Sequence, residues 1–185
     1  PMPVSNYPNG FPQGVSIRGV PLTVTNPGRV FWLSNATTLQ PGDRGGSDSN
    51  KGTQASPFAT LAYAVTQCVA NRGDIILVEP GHAETVGTAT ILPIAKAGVA
   101  IIGLGYGSMR PKWTLDTIGT ATIPVSADNV SFTNCQFVAN FLSVVSCFTL
   151  TTAKNFTVQS CSFTDTSNVL NFLNVIKSTG AANTV

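Results

Sequence analysis

Two segments in the second half of the chain share one pattern of apolar and polar positions. They are residues 129–137 and 155–163, which lie 26 positions apart, and each contains a cysteine followed two positions later by a phenylalanine. A repeat of this length is typical of proteins built from stacked coils. The pattern therefore favours a solenoid over an ordinary globular fold.

Within each segment the alternation of apolar residues shifts by one position. Phe132 ends the first run, and Cys135 and Phe137 resume one position out of step, after Asn134. Side chains of a strand point alternately to its two faces, so both runs can face inward only if the chain bends between them. We expect corners at Asn134 and at Ser160.

The same register extends towards the N-terminus. Residues 99–106 match residues 130–137 at an offset of 31, so that Tyr106 corresponds to Phe137, and the match continues 25 positions earlier to Ile76. Unequal offsets are expected when stacked strands keep their register and the loops between them differ in length. Neighbouring coils would then lie about 4.8 Å apart.

A second series of apolar segments lies between the first, at residues 90–94, 120–125, 144–150 and 170–176. Each coil would therefore contain at least three short strands. The fold class predicted is all-β, a right-handed parallel β-helix. Its interior would hold continuous stacks formed by Phe132, Phe137, Val158 and Phe163.

A capping α-helix is predicted over about residues 56–70, with Ser56 as N-cap and Pro57 in the first turn. Its apolar residues recur with helical spacing on one face: Phe58, Leu61, Ala62, Val65, Cys68 and Val69. Residues 71–73 would end the helix before a strand at residues 74–78. A helix across the end of the solenoid would protect the edge strands from unwanted pairing.

Three motifs in this region carry a resemblance to a known superfamily. They are residues 46–53, 56–61 and 72–81. Together they resemble the opening segment of pectate-lyase-like β-helix proteins. The resemblance covers about residues 30–178 and implies a first strand at residues 30–33, a Gly/Asp/Asn-rich loop, the capping helix and coils from about residue 73 onward.

A finer resemblance rests on residues 72–74, 80–85, 97–105 and 108–111, which look most like β-helix structural proteins of tailed bacteriophages. It implies a non-enzymatic virion protein, a capsid decoration, cement or head-fibre protein that binds the major capsid protein or other virion subunits on the capsid surface or the tail. A homotrimer is favoured, since β-helices in virions often associate side by side.

Two alternatives stay open. A tailspike or tail-fibre protein would bind or depolymerise host surface polysaccharide. A surface adhesin or a cellular polysaccharide enzyme is the third class. Enzymes of this fold usually display acids and aromatic residues along one wall, whereas Trp32 and Trp113 are isolated in the sequence, which favours a role in assembly.

Residues 1–29 differ in character from residues 30–185, which form the predicted β-helix domain. Six prolines punctuate this segment and prevent long helices or continuous strands, yet it is rich in large apolar residues. We expect an extended arm that binds another subunit or, alternatively, the protein's own wall. Its predicted partner-binding residues are Val4, Tyr7, Phe11, Val15, Ile17, Val20 and Leu22, with Arg18 and Arg29 for acidic groups.

Composition narrows the possible partners. Charged residues make up 10% of the chain and the net charge is +2, against about 25% charged residues in ordinary soluble domains. Without a Lys/Arg run we expect no nucleic-acid partner, and without about 20 consecutive apolar residues we expect no membrane span. No signal peptide is indicated. A lightly charged surface suggests that partners cover much of it.

The sequence offers few candidates for catalysis. Glycoside hydrolysis needs two carboxyl groups about 5 to 9.5 Å apart, but the register places Asp128 beside Lys154 and Asp165 beside Ala139. Asp74 aligns with Val99 and so has no carboxyl neighbour on the lattice either. The only close acid–base pair consists of the single histidine, at position 82, and a glutamate two positions later, and we expect both side chains to face water.

Neither a metal nor a cofactor is predicted. Asp43 and Asp48 lie in a Gly/Asp/Asn loop that turn formation explains better than calcium binding, and no Cys/His cluster has zinc spacing. The glycines at 103–107 lack the dinucleotide fingerprint. Cys135 and Cys161 occupy equivalent positions in successive coils, and we expect reduced, buried thiols there.

Overall fold

The computed structural model describes residues 28–36, 45–88 and 92–180, and the backbone alone of residues 15–17 and 20–22. Its strands and helix are β1 Val15–Ile17, β2 Val20–Leu22, β3 Val30–Leu33, α1 Leu61–Gln67, β4 Ile75–Val78, β5 Ala83–Val86, β6 Ala100–Gly103, β7 Lys112–Leu115, β8 Ile123–Val125, β9 Ser131–Thr133, β10 Gln136–Ala139, β11 Phe148–Leu150, β12 Thr157–Gln159, β13 Ser162–Asp165 and β14 Ile176–Ser178.

The molecule is a right-handed parallel β-helix of about four coils, which confirms the predicted fold class. The first wall has the order β3-β4-β6-β9-β12, the second β5-β7-β10-β13 and the third β8-β11-β14. All neighbours within these walls are parallel. Strands β8 and β11 are shorter than the apolar segments that predicted them, and β14 begins at the last residue of its predicted segment.

The predicted corners between the first and second walls are confirmed. Asn134 and Ser160 have φ values of 56° and 53°, a left-handed conformation that reverses strand parity over one residue. Asn tolerates this conformation better than other residues with a side chain, because its short amide can bond locally. The amide of Asn134 bonds instead to the preceding coil, where its Nδ2 donates to the carbonyls of Gly103 and Gly105, at 2.9 and 3.0 Å.

The predicted register of the first wall is confirmed, with one correction in the second wall. Ile76 pairs with Ile101 and Ile101 with Phe132. The residue opposite Phe137 is Trp113, however, and not Tyr106. A loop with a 3-10 turn at Gly107–Met109 follows Tyr106, so the strand resumes later than a fixed offset predicts and Tyr106 is exposed.

Aromatic side chains fill the interior as stacks along the axis. Phe137 stacks on Trp113 on one side and on Phe163 on the other, with ring centroids 5.7 and 5.4 Å apart. Phe132 meets the ring of Phe137 edge to face, with centroids 5.7 Å apart, and pairs in register with Val158. The predicted stacks are therefore present, although Val158 and Phe163 in the last coil are only partly buried.

The capping helix is shorter than predicted. It covers Leu61–Gln67 with Thr60 as N-cap, whose side chain accepts from the backbone N–H of Tyr63 at 3.2 Å. The predicted N-cap at Ser56 is wrong because residues before Thr60 run along the free edge of β3. There Phe58 donates its N–H to Trp32 and accepts from Ser34, both at 2.9 Å.

The end of the helix explains a second correction. Asn71 and Gly73 have φ values of 58° and 77°, as expected for the turn into β4. Since the helix ends at Gln67, Val69 lies beyond it and is exposed instead of buried. None of the described helices could cross a bilayer.

Candidate functional site

The one acid–base pair lies inside the molecule, between the helix and the second wall. Glu84 is on β5, directly opposite Trp113 on β7. His82 is 1% exposed and the Glu84 side chain 9%. The expectation that both side chains face water is therefore wrong.

Both ring nitrogens of His82 and one carboxylate oxygen of Glu84 have structural partners. Glu84 Oε2 accepts from the backbone N–H of Leu61 at 3.1 Å and from Trp113 Nε1 at 3.0 Å. His82 Nδ1 accepts from the backbone N–H of Asn35 at 3.1 Å. Nδ1 is therefore unprotonated, and Nε2 carries the hydrogen that points to Glu84 Oε2 at 3.4 Å.

This network, which we call the Glu84 latch, joins three elements that are distant in sequence. Leu61 is the first residue of the helix, so the carboxylate binds an N–H group that no helical carbonyl can reach. Both ring nitrogens of His82 are occupied. Because a general base needs access to a substrate proton, the geometry assigns the pair to holding the helix on the second wall.

Sequence periodicity could not have found the latch. Positions 82 and 84 share a strand face, but nothing local says which face is inside. The signal that could have shown it is Trp113, whose indole N–H needs an acceptor when buried. Trp113 is fully buried, so the isolated aromatic of the sequence is a core residue.

Asp74 forms a second buried polar centre where the helix leads into β4. Arg72 donates to it from Nε and from the terminal guanidinium nitrogen, both at 2.7 Å. The backbone N–H groups of Arg29 and Val69 donate to it at 2.7 Å as well. Burial alone would raise the pKa of this carboxyl, but Arg72 and the two N–H groups outweigh burial and hold the pKa below its ordinary value.

Asp165 and Asp128 each lie opposite a residue that is not acidic in the adjacent coil. Asp165 lies opposite Ala139, as predicted. Asp128 accepts from the backbone N–H of Lys154 at 2.8 Å, which agrees with the predicted alignment. No group of three potential metal ligands occurs among the described residues.

The Gly/Asp/Asn loop that contains Asp43 and Asp48 is only partly described. Asp43 lies outside the described residues. Asp48 is in a capping role: it accepts from the backbone N–H groups of Ala59 and Thr60, both at 3.0 Å, and from the Thr60 hydroxyl at 2.8 Å. This role matches the turn-forming interpretation of the loop.

Exposed apolar side chains occur in each coil on the loops between the second and third walls. We call this set the apolar ridge, and it consists of Ile118, Leu142 and Val169, which are 44%, 59% and 53% exposed. The loops stack directly, since Ser143 donates its N–H to Val169 and Val145 donates to Gly119. Large exposed apolar side chains grouped in this way mark interaction surfaces.

The predicted arm is mostly beyond what the structure describes. Val4, Tyr7, Phe11 and Arg18 lie outside the described residues. Val15, Ile17, Val20 and Leu22 have a described backbone only, and it forms an antiparallel pair of strands, β1 and β2. Arg29 is exposed and donates its backbone N–H to Asp74.

An apolar cluster lies on the outer face of the first wall, beside the point where the arm joins β3. Ile75, Leu77 and Leu104 form its centre and are closed to solvent, with Trp32, Ala100 and Ile102 packed around them. Outer faces of β-helix walls ordinarily carry polar residues, as Ser131 and Thr133 do further along this wall. The cluster is therefore a second, smaller apolar core outside the interior of the solenoid.

Fold and register define the class of this protein, a parallel β-helix of the pectate-lyase-like kind. A family model described as "Protein of unknown function (DUF1565)" matches residues 44–184, and the chain belongs to that family. No curated protein is significantly similar to the chain.

One solved structure with similarity is a rhamnogalacturonan lyase, at 20% sequence identity and a TM-score of 0.48. The alignment covers 72% of this chain and 36% of that one, so this chain corresponds to about a third of the lyase. Similarity at this level supports no inference about activity or substrate.

Proposed function

We propose that this chain is a non-enzymatic structural protein of a phage virion, a capsid decoration, cement or head-fibre protein that associates side by side with copies of itself. The observation that carries the structural role is the apolar ridge. The assignment to a phage rests on the sequence motifs described above.

The ridge suits a partner with the same linear repeat. Its side chains recur once per coil, so a second solenoid lying parallel to the first would meet equivalent residues at each level. The three loops that carry the ridge contain a single charged residue, Asp116. Copies of this chain could therefore approach there without repulsion between like charges, and three-fold symmetry would leave every ridge covered.

The Glu84 latch supports a role without catalysis. It takes the only histidine of the chain and its neighbouring acid into the core, where their polar atoms bind backbone and indole N–H groups. Substitution of His82 by Ala or Glu84 by Gln should therefore affect stability and leave any polysaccharide cleavage unchanged.

Sedimentation and light scattering of the full chain test the ridge. We expect a trimer that the Leu142→Asp substitution converts to a monomer with an unchanged circular dichroism spectrum. Thr133→Asp, on the outer face of the first wall, is the matched control and should remain trimeric. A wild-type chain that stays monomeric at high concentration would contradict the assembly.

Truncation tests the arm. Removal of residues 1–29 should give a soluble β-helix that no longer co-purifies with particles. If the arm instead covers the outer cluster of its own first wall, the truncated chain will lose stability and bind an apolar dye near Leu77. Undiminished particle binding would remove the arm from the mechanism.

A cleavage assay tests the alternative that the chain depolymerises host surface polysaccharide. The full chain is incubated with host surface polysaccharide, and new reducing ends or unsaturated products are measured. Cleavage that is lost in a folded His82→Ala or Glu84→Gln variant would overturn the non-enzymatic proposal.

A further inference from the structure

Two cysteines face each other where the last two coils turn their corners. Cys135 and Cys161 directly precede the paired residues Gln136 and Ser162, so they occupy matching places in adjacent strands. Each follows a corner residue in the left-handed conformation. Strands in a sheet lie about 4.8 Å apart, which is inside the 4.4–6.8 Å range of Cα separations in disulfides.

The thiol of Cys161 contacts the backbone of Cys135. Cys135 donates its N–H to Cys161 Sγ at 3.4 Å. Each thiol also points to the carbonyl two residues before it, Thr133 and Gln159, at 3.4 Å. Cys161 Sγ also lies 3.6 Å from the carbonyl oxygen of Phe132, in the coil that contains Cys135.

The two sulfur atoms differ in accessibility. Cys135 is fully buried, while Cys161 is partly exposed, and both are free thiols in the structure. An oxidant in solution therefore reaches Cys161 first. The buried Nε of Arg110 has no hydrogen-bond partner among the described residues, and Arg110 is close enough to contribute a positive charge to this site.

The pKa values of the two thiols also make Cys161 the more reactive of the two. Hydrogen bonding to Cys135 is the main reason that the pKa of Cys161 falls to about 7. Burial raises this pKa, and the positive charge of Arg110 lowers it further. Burial is the main reason that the pKa of Cys135 lies well above its ordinary value. The thiolate is the reactive form of cysteine, so Cys161 is the nucleophile of the pair.

We propose that Cys161 and Cys135 form a redox-active thiol pair that reacts with low-molecular-weight disulfides and closes into a reversible bond between the last two coils. The Cys161 thiolate attacks one sulfur of the small disulfide and expels the other as a thiolate. Cys135 then loses its proton to solvent, attacks Cys161 Sγ and expels the second small thiolate. Two protein thiols are oxidised, and one small disulfide is reduced to two thiols.

Glutathione disulfide is the probe for this reaction in the full chain. After incubation, free thiols are blocked with N-ethylmaleimide, and intact mass and peptide mapping report the bonds formed. We expect a Cys135–Cys161 link that dithiothreitol reverses. Cys161→Ser should stay reduced, and Cys135→Ala should stop as a glutathione adduct on Cys161. Cys147→Ser and Cys68→Ser are matched controls that should still form the link.

The reactivity of Cys161 has an independent readout. Its alkylation rate by iodoacetamide should rise with pH through a midpoint near 7, in protein whose circular dichroism shows it to be folded. The proposal is overturned if the folded wild type forms no link, if the link maps to another cysteine, or if Cys161 alkylates no faster than Cys147 at neutral pH.

Discussion

At the scale of single residues, the corners depend on side chains that tolerate a left-handed backbone. Asn71, Asn129, Asn134 and Asn155 all have positive φ values between 55° and 58°. Asn134 differs from the others in being buried, with its amide bound to two carbonyls of the preceding coil. Asn134 therefore has two roles: it turns the chain at the corner, and its side chain forms hydrogen bonds between coils.

Asn134→Ala should lower the free energy of unfolding by about 2–3 kcal/mol, because it strains the backbone and leaves two carbonyls without their donor. Urea denaturation measures the change. Asn134→Gly relaxes the backbone but also loses the donor, so its difference from Ala gives the strain less the extra backbone entropy that Gly loses on folding. Ser160→Ala is the control at the exposed equivalent corner and should cost about 1 kcal/mol or less.

Phe132 is one of the three phenylalanines, with Phe137 and Phe148, that connect the aromatic core. It is fully buried and has ring contacts with four aromatic neighbours, Trp113, Phe137, Phe148 and Phe156. Phe132→Ala should cost about 3–5 kcal/mol through the cavity that it leaves. Thr133→Ala, the next residue on the outer face, should change stability by less than about 0.5 kcal/mol in the same urea experiment. Equal effects would contradict the register of the first wall.

At the scale of elements, buried carboxylates connect the helix to the strands around it. The Glu84 latch holds the start of the helix, and Asp74 holds its end. Asp74 binds the chain just before β3 through Arg29, and the segment that follows the helix through Val69. A seven-residue helix is too short to be stable alone, so these contacts and its buried face keep it in place.

Asp74 should make stability depend on acid pH. Because its folded pKa lies below that of the unfolded chain, its stabilisation is complete above about pH 5 and is lost as pH falls through the folded pKa. Asp74→Asn should cost about 1.5–3 kcal/mol at neutral pH. The stability difference between wild type and variant should stay constant above about pH 5 and narrow below pH 4. A difference that does not change with pH would show that the carboxylate charge is not responsible.

At the scale of the whole molecule, the coils are unequal. Core residues of the first three coils are closed to solvent, whereas Val158, Phe163, Phe172 and Ile176 in the last coil are partly buried. In a solenoid each coil is stabilised mainly by its neighbours. The last described coil has a neighbour on one side only within the described residues, and the Cys135–Cys161 pair lies at that boundary.

Native-state hydrogen exchange should therefore show a gradient along the axis. Amides of β4 should exchange most slowly, those of β9 at an intermediate rate and those of β12 fastest, because opening of the last coil exposes the least apolar surface. Oxidation of the thiol pair should slow exchange in β12 and leave β4 unchanged. A single rate for all three strands would mean that the solenoid opens as one unit.

The sequence by itself determined the solenoid, the corners at Asn134 and Ser160, and the pairing of Ile76, Ile101 and Phe132. These features follow from strand periodicity and from the left-handed preference of Asn, which act over a few residues and repeat in every coil. A local pattern that repeats in every coil can be recognised from the sequence alone.

Tertiary structure decided the features that depend on contacts between distant segments. Phe58 pairs with β3 and so delays the helix to Leu61. The loop after Tyr106 places Trp113 in the core stack. Glu84 is buried because its carboxylate accepts from the N–H groups of Trp113 and Leu61. Each of these outcomes is set by which hydrogen-bond partner a distant segment supplies. Such partners become visible only when the coils are stacked.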